Sequence, residues 1–503
     1  MRTENRFNLI DEPWLPVVDV GLVSLRQIFS QPEYRALGGN PIQKIAVTKL
    51  LLAIVQAATT PADDEAWAEL GPAGMAEKCL VYLEKWHDRF DLYGERPFLQ
   101  MPGVCKAAIQ SAGAVLPEVA TGNTTVLTQI HIEKTLSAAD NALLLIVLMG
   151  FGLGGKKTDN SVVLSAGYSG KANDKGKPAT GKPGPALGFS GFLHSFLVGA
   201  SLTETLWLNL LTTEQIAGLR VFTTGLGQAP WEQMPTGEAC AIAAQLQNSL
   251  MGRLLPMSRF CLLAESGLHY SEGIAHPGYK EGMVDPSVSV DYSGKDAKAV
   301  WVDPEKRPWR FLTAMLSFLG VNRTVGYDCQ LLRGGLQRAR RHAEALGIWS
   351  GGLRVSSNAG EQFVSGADDF VESVLTLPME ILGEKWFEIL QREMAELDQL
   401  AKIVYSATLN YYKTLGMEGK QQAGQASNLY WQLCERQFQK LVDGCDDPAQ
   451  IKILRRRFAD FVRQSYQHHC PNDTARQLEA WAKNQPNLGR YLHDATQPQE
   501  ATT

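Results

Sequence analysis

The sequence predicts a mixed α/β fold of the α+β kind. It places a large N-terminal domain of irregular topology over residues 1–375 and a C-terminal four-helix bundle over 376–503. Three observations predict it. Apolar residues of 41–58 recur at helical spacing, whereas residues 253–302 alternate apolar and polar amid many Gly and Pro, the pattern of short strands and turns. From about Pro378 the apolar spacing becomes helical and stays so over four stretches joined by short breaks, the mark of a bundle. At 503 residues the chain is also long for one core, which favours two or three domains.

Each element follows from local chemistry. In Phe7–Val17 an apolar run meets Asp11 and Glu12, and Pro13 and Pro16 then flank Trp14 and Leu15. Proline lacks an N–H, so this reads as a short edge strand with Trp14 pinned against the body. Pro41 to Ala58 reads as an amphipathic helix, with Pro41 suited to its first turn. A second helix is expected over roughly Ala73 to Phe90, then a turn and a short extended segment over Leu92–Gln100. From Gly150 to Gly191 glycine, lysine and proline dominate, which predicts a mobile loop. Apolar periodicity resumes at Phe192, and Pro308–Leu319 and Asp328–Leu346 look helical. Ser350–Ser357 reads as a Gly- and Ser-rich break. In the bundle, Trp386, Ile389, Leu390, Met394, Leu397, Leu400, Ile403 and Val404 share one helix stripe, and further helices are expected near 425–443, 447–468 and 473–493.

Composition narrows the function. Apolar residues make up 45% and charged residues 20%, as in ordinary globular proteins. A net charge of −5 argues against a chain that finds nucleic acid alone through bulk charge, while leaving room for local basic loops or binding within a larger assembly. Residues 1–6 lack the apolar stretch of a signal peptide, and the longest apolar run, Ala142–Met149, is too short to span a bilayer. A cytoplasmic protein without a membrane partner is expected. The eight cysteines contain no C-x-x-C pair, so reduced core thiols are expected, with no metal and no cofactor.

Several segments carry candidate chemistry. Gly150–Lys157 reads Gly-Phe-Gly-Leu-Gly-Gly-Lys-Lys; its glycines let backbone N–H groups approach a ligand, and its lysines add positive charge. It is no Walker A loop, because Lys156 and not Gly precedes Lys157-Thr158. Lys171, Lys175, Lys177 and Lys182 follow, which suits a phosphate-facing loop; a flexible connector has the same composition. Asn123–Gln129 is a polar loop able to hydrogen-bond bases or sugar-phosphate, or simply a strand entrance. Ser350–Asn358 has the makings of a hairpin whose tip enters a groove, or of a surface turn. Two basic clusters, Arg338/Arg340/Arg341/His342 and Lys452/Arg455/Arg456/Arg457, suit either a phosphate backbone or solvent. His468-His469-Cys470 is a poor chelate, since adjacent helical residues diverge. No HExxH or GxSxG motif occurs.

The opening Phe7–Val17 and the segment Trp86–Gln100, a helix running out before Pro97-Phe98-Leu99-Gln100, resemble in order and separation the two signatures of the CasA family. This family is the large subunit of Cascade, the type I-E CRISPR surveillance complex. The resemblance extends over the whole chain in length, motif order and C-terminal helices. It implies a non-enzymatic subunit that joins the other Cascade subunits and the crRNA, and that recognises the PAM in double-stranded target DNA. Such a subunit helps open the duplex, holds displaced DNA on its bundle and docks the helicase-nuclease effector. It puts the PAM-side glycine loop on Gly152, Gly154, Gly155 and Lys156, with Lys157 adjoining, and a further PAM lysine at Lys280. The loop near the crRNA end falls on Asn123, Thr124, Thr125 and Val126, where Val126 replaces a frequent aromatic. Gly351-Gly352-Leu353-Arg354 stands before the wedge hairpin, with Ser356 and Ser357 at its tip. The competing readings are a metal-dependent nuclease or nucleotide hydrolase with an unfamiliar site, and a pure scaffold.

Overall fold

A computed structural model describes residues 6–117, 136–152, 158–171, 191–277, 285–320, 326–343, 346–358, 361–363 and 369–492. The chain divides into two compact units, Met1–Phe318 with Thr324–Val374 and Leu319–Arg323 with Leu375–Thr503.

The first unit opens on the hairpin β1 (Leu15–Val17) and β2 (Gly21–Val23), with Pro16 opposite Leu22. Trp14 is fully buried, and its indole N–H donates to the Leu9 carbonyl at 2.9 Å. Helix α1 (Pro41–Ala58) begins at a capping box: Asn40 accepts from the Gln43 N–H, and the Gln43 side chain accepts from the Asn40 N–H. Thirteen of its eighteen residues are buried, so it is a central helix and not the half-exposed amphipathic one expected. Among the described residues it is the one helix long and apolar enough to cross a membrane, yet most of it is buried inside the protein.

Helix α2 (Asp64–Lys85) starts well before the expected Ala73, capped by Asp63. Gly71, at φ +57°, interrupts it just before Pro72. Proline disfavours helical φ/ψ in the residue before it, and glycine tolerates the alternative, so only the second half was visible as periodicity. The stretch expected to extend over Phe98–Gln100 is a turn, with Leu99 at φ +52°. The Gln100 side chain holds it, donating to the Leu92 carbonyl at 2.7 Å and accepting from the Leu263 N–H at 2.8 Å.

Along the rest of this unit come β3 (Ile109–Gln110), α3 (Ala138–Phe151), β4 (His194–Val198), α4 (Leu202–Leu208), β5 (Arg259–Ala264) and β6 (Gly267–Glu272). Then follow β7 (Val290–Asp291), β8 (Lys298–Ala299), β9 (Tyr327–Asp328), α5 (Gln330–Ala339) and β10 (Leu346–Leu353), and finally β11 (Ser356–Asn358), β12 (Glu361–Phe363) and β13 (Phe370–Leu377), whose last three residues are counted with the second unit. The sheets are small: β13-β10-β4, β3-β6-β5 and β8-β7-β9, besides two hairpins. Trp67 of α2 stacks on Trp207 of α4 at 3.9 Å, and each indole N–H donates to the other's carbonyl.

The expected break at Ser350–Ser357 is overturned. β10 is the middle strand of its sheet and is buried at all eight positions. Its glycines serve close approach: a Cβ on Gly351 would lie 2.7 Å from the Val371 carbonyl, and one on Gly352 2.8 Å from that of Phe192.

The second unit is helical. α6 (Glu384–Thr414), α7 (Lys420–Gly444) and α8 (Pro448–His469) are long and pack on one another. Trp386, Leu390, Met394, Leu397, Leu400 and Val404 are buried on α6, while Ile389 and Ile403 are only half-buried. In place of a fourth long helix over 473–493 stand the nine-residue α9 (Ala475–Lys483) and the one-turn α10 (Gly489–Leu492). Pro486 lies in the gap between them and cannot continue a helix.

Candidate nucleic-acid interface

The glycine-rich segment leaves the end of α3, a helix buried at eleven of its fourteen positions. Gly152 is its C-cap, in an extended conformation (φ −68°, ψ 111°). The last carbonyls of a helix lack intrahelical partners, and here β5 and the residue before it supply them. The Ser258 N–H and hydroxyl donate to the Met149 carbonyl at 3.0 and 2.6 Å. The fully buried Arg259 donates through Nη2 to the Gly152 carbonyl at 2.9 Å and through Nη1 to that of Ser258 at 2.7 Å. A Cβ on Gly152 would lie 2.5 Å from Arg259 Nε and 2.7 Å from its Cγ. The sequence named Gly152 as a ligand-facing glycine; its side is occupied by a buried guanidinium. Gly154, Gly155, Lys156 and Lys157 lie outside the described residues.

The chain is held again at Asp159. Its N–H donates to the Tyr270 carbonyl at 2.9 Å, its carbonyl accepts from the Ser271 hydroxyl at 3.0 Å, and its carboxylate accepts from the Ala108 N–H at 3.0 Å. Hydrogen bonds from the Ser161 side chain above all hold that carboxyl below its ordinary value. Both feet of the segment thus rest on β5 and β6, which are antiparallel neighbours.

Residues 158–171, expected within a mobile loop, are tied to the body at particular points while several of them stay exposed. Asn160 and Lys171 are buried. The Lys171 ammonium pairs with Glu238 at 2.7 Å and donates to the Val162 carbonyl and the Ser271 hydroxyl. Burial lowers the Lys171 pKa against the pull of Glu238. Burial pushes the Glu238 carboxyl up, but Lys171 and the N–H groups of Leu164 and Ser165 outweigh it and hold it down. Lys171 is therefore an internal counter-ion and not a phosphate-facing lysine. Lys175, Lys177 and Lys182 lie outside the described residues, as do Asn123, Thr124, Thr125, Val126 and Lys280.

The chain around Lys280 is anchored on either side. His276 Nε2 donates to the Pro256 carbonyl at 2.8 Å and its Nδ1 accepts from Arg253 at 2.8 Å. Beyond the segment, the buried Asp285 pairs with Lys49 of α1 and accepts from the Ser287 hydroxyl, which lies 2.9 Å from His194 Nδ1.

A hairpin does follow β10. β11 and β12 pair with Ser356 opposite Phe363, Ser357 opposite Gln362 and Asn358 opposite Glu361. Ser356 and Ser357 are therefore strand residues below the turn, not its tip. Residues 359–360, Ala-Gly, lie outside the described residues.

Of the basic clusters, the first is divided by burial. Arg338 is buried, stacks 4.4 Å from the Trp67 ring and donates to the carbonyls of Leu208 and Leu210. Burial pulls its pKa down to about 10. In the second, on α8, Arg455 grips the buried Glu393 of α6 with two hydrogen bonds of 2.7 and 2.6 Å, and Arg457 lies 5.3 Å from the Phe461 ring. Lys452, Arg455 and Arg456 line a cleft of about 440 Å³ with Arg392 and Arg490, facing Glu396 and Asp446. Five cations against two acids make it net positive. Its concavity comes from α6, α8 and α10, which the sequence alone did not bring together.

Among the described residues no three His, Cys, Asp or Glu side chains converge as a metal site. His468 and His469 meet edge to face at 4.9 Å, and burial pushes the Cys470 thiol up to about 12. Sequence reasoning missed Ser258, Arg259, Lys49 and Asp285. The one available signal for Arg259 was a cation set directly before the apolar run Phe260–Leu263.

The family model described as CRISPR-associated protein Cse1 matches residues 8–469. A relative from Thermus thermophilus, CRISPR-associated protein CasA/Cse1, is 25% identical over 540 aligned positions, covering 98% of each chain. The crystal structure of Thermus thermophilus CasA matches with a TM-score of 0.73 at 20% identity, covering 97% of this chain and 99% of that one. Thermobifida fusca Cse1 matches with a TM-score of 0.73 at 19% identity, covering 97% and 98%. A chain of a CRISPR RNA-guided surveillance complex matches with a TM-score of 0.69 at 16% identity, covering 95% and 98%. The structural matches establish a shared fold, and the family match runs over nearly the whole chain: this protein belongs to the Cse1 (CasA) family of CRISPR-associated proteins.

Proposed function

We propose that this chain is the non-catalytic large subunit of a crRNA-guided type I-E Cascade complex. In this reading it recognises the PAM in double-stranded DNA, promotes strand separation and R-loop formation, and helps recruit the helicase-nuclease. The observation that carries the proposal is the family match over residues 8–469, joined to the full-length structural likeness to a chain of an RNA-guided surveillance complex.

The physical chemistry supports the same division of labour. A chain of net charge −5 lacks the bulk attraction to bind a polyanion alone, so partner subunits and crRNA supply most phosphate contacts. Guide pairing reads the target sequence, and the protein reads only a short flanking motif. The N–H groups of Gly154 and Gly155, with Lys156, Lys157 and Lys280, approach the PAM from the minor groove. That groove carries a degenerate code, so several PAM sequences are tolerated. Asn123–Val126 lie against the crRNA end. The hairpin of β11 and β12, which carries Ser356 and Ser357, wedges at the first base pair. The net-positive cleft on α8 faces displaced DNA.

Replacing Gly154 and Gly155 with Leu tests the loop assignment. The expected result is loss of PAM-dependent duplex binding in a complex that still assembles. PAM-dependent binding that survives both substitutions removes the loop from the interface.

A further inference from the structure

We propose that Ser258 and Arg259 are positioning residues for PAM-dependent binding: they cap α3 from a neighbouring strand and fix the direction in which the chain leaves at Gly152. This inference rests on the reading that the segment after Gly152 faces the PAM.

Helices often end on a glycine in the left-handed region, which lets the chain satisfy its own last carbonyls. Gly152 does not do this; its φ of −68° leaves those carbonyls to be satisfied from outside. The supply comes from two consecutive residues, Ser258 and the first residue of β5, Arg259. Ser258 places two donors on the Met149 carbonyl, and the Arg259 fork bridges the carbonyls of Gly152 and Ser258. A cation at a helix C-terminus also opposes the negative end of the helix dipole.

The choice of arginine is informative. A fully buried guanidinium carries a large desolvation penalty, and an apolar side chain of similar volume would fill the same space. What an apolar residue lacks is a planar fork whose N–H groups reach two backbone carbonyls at once. The missing side chain of Gly152 completes the fit, since any Cβ there would displace the guanidinium. The residues that follow must start from this fixed point and return to Asp159, which β6 holds through Tyr270 and Ser271. A shift at Gly152 therefore moves the point from which the chain leaves α3 without altering any group proposed to contact DNA.

The test uses the complete crRNA-loaded complex containing Arg259→Met, Arg259→Lys, Ser258→Ala, or the Gly154→Leu/Gly155→Leu pair. Affinity is read for three duplexes: target with PAM, target with the PAM scrambled, and a target already unpaired across the protospacer. Assembly is followed by size-exclusion chromatography. Arg259→Met is expected to lower the ratio of PAM to scrambled-PAM affinity by about tenfold or more, the scale of one lost charge-assisted hydrogen bond. Affinity for the pre-opened target should stay unchanged, whereas a general packing defect would weaken all three. Arg259→Lys should restore part of the ratio. If Arg259→Met blocks assembly, Arg259→Lys and Ser258→Ala report the same ratio. If discrimination survives at Ser258 and Arg259 but is lost in the Gly154/Gly155 pair, the positioning role is wrong and the loop reading stands. If discrimination survives in the Gly154/Gly155 pair as well, the loop reading falls and this inference with it.

Discussion

His194 and His276 are internal bases, buried and held down to about 3. Burial is the main cause for both; Lys49 adds to it at His194, and Arg253 at His276. In the unfolded chain each titrates near 6.5, so between the two values the unfolded state binds more protons. Their contribution to stability is complete above about pH 6.5 and is lost as pH falls toward 3. Thermal melting should therefore drop in temperature between about pH 7 and pH 5, and His276→Gln should flatten that drop. An identical slope in the variant would mean that His276 is not held neutral in the fold. Little at this scale was legible in the sequence. His276 and Asp285 read as ordinary polar residues in a Gly- and Pro-rich stretch, and Arg259 as one cation before an apolar run. Their partners, Arg253, Lys49 and Gly152, lie 23, 236 and 107 positions away in the chain or act through backbone carbonyls.

Elements were legible where their signals are local. Asn40, Pro41 and Gln43 mark the start of α1 within four residues, and the sequence and the structure agree on that helix from Pro41 to Ala58. The stripe from Trp386 to Val404 likewise gave α6. Where the deciding contact is remote, sequence misleads. Ser350, Gly351 and Gly352 look like a linker, yet they form the middle of β10 because Val371 and Phe192 press on them. Gly352→Ala should accordingly destabilise the first unit by about 1–3 kcal/mol, the usual range for overpacking. Denaturant midpoints measure this directly. A neutral result would mean that the neighbours of β10 yield and that the glycine is not required for packing. The Gly71-Pro72 break hid the first half of α2 by the same mismatch of local and distant signals.

For the whole molecule, family membership was legible because two signatures sit close together in the first hundred residues. The candidate interface was less so, because its backbone supports come from β5, β6 and the segments around Ser287 and Pro256. Those supports fix the described residues on either side of these segments, Gly152 and Asp159 around one and His276 and Asp285 around the other. Under the proposed function, this subunit makes target binding depend on the PAM. The most direct measurement is a gel-shift titration of target duplexes flanked by a PAM library, using the partner subunits and crRNA with this chain present or omitted. PAM-dependent binding is expected only when the chain is present. The same PAM dependence in its absence would mean that this subunit does not read the PAM.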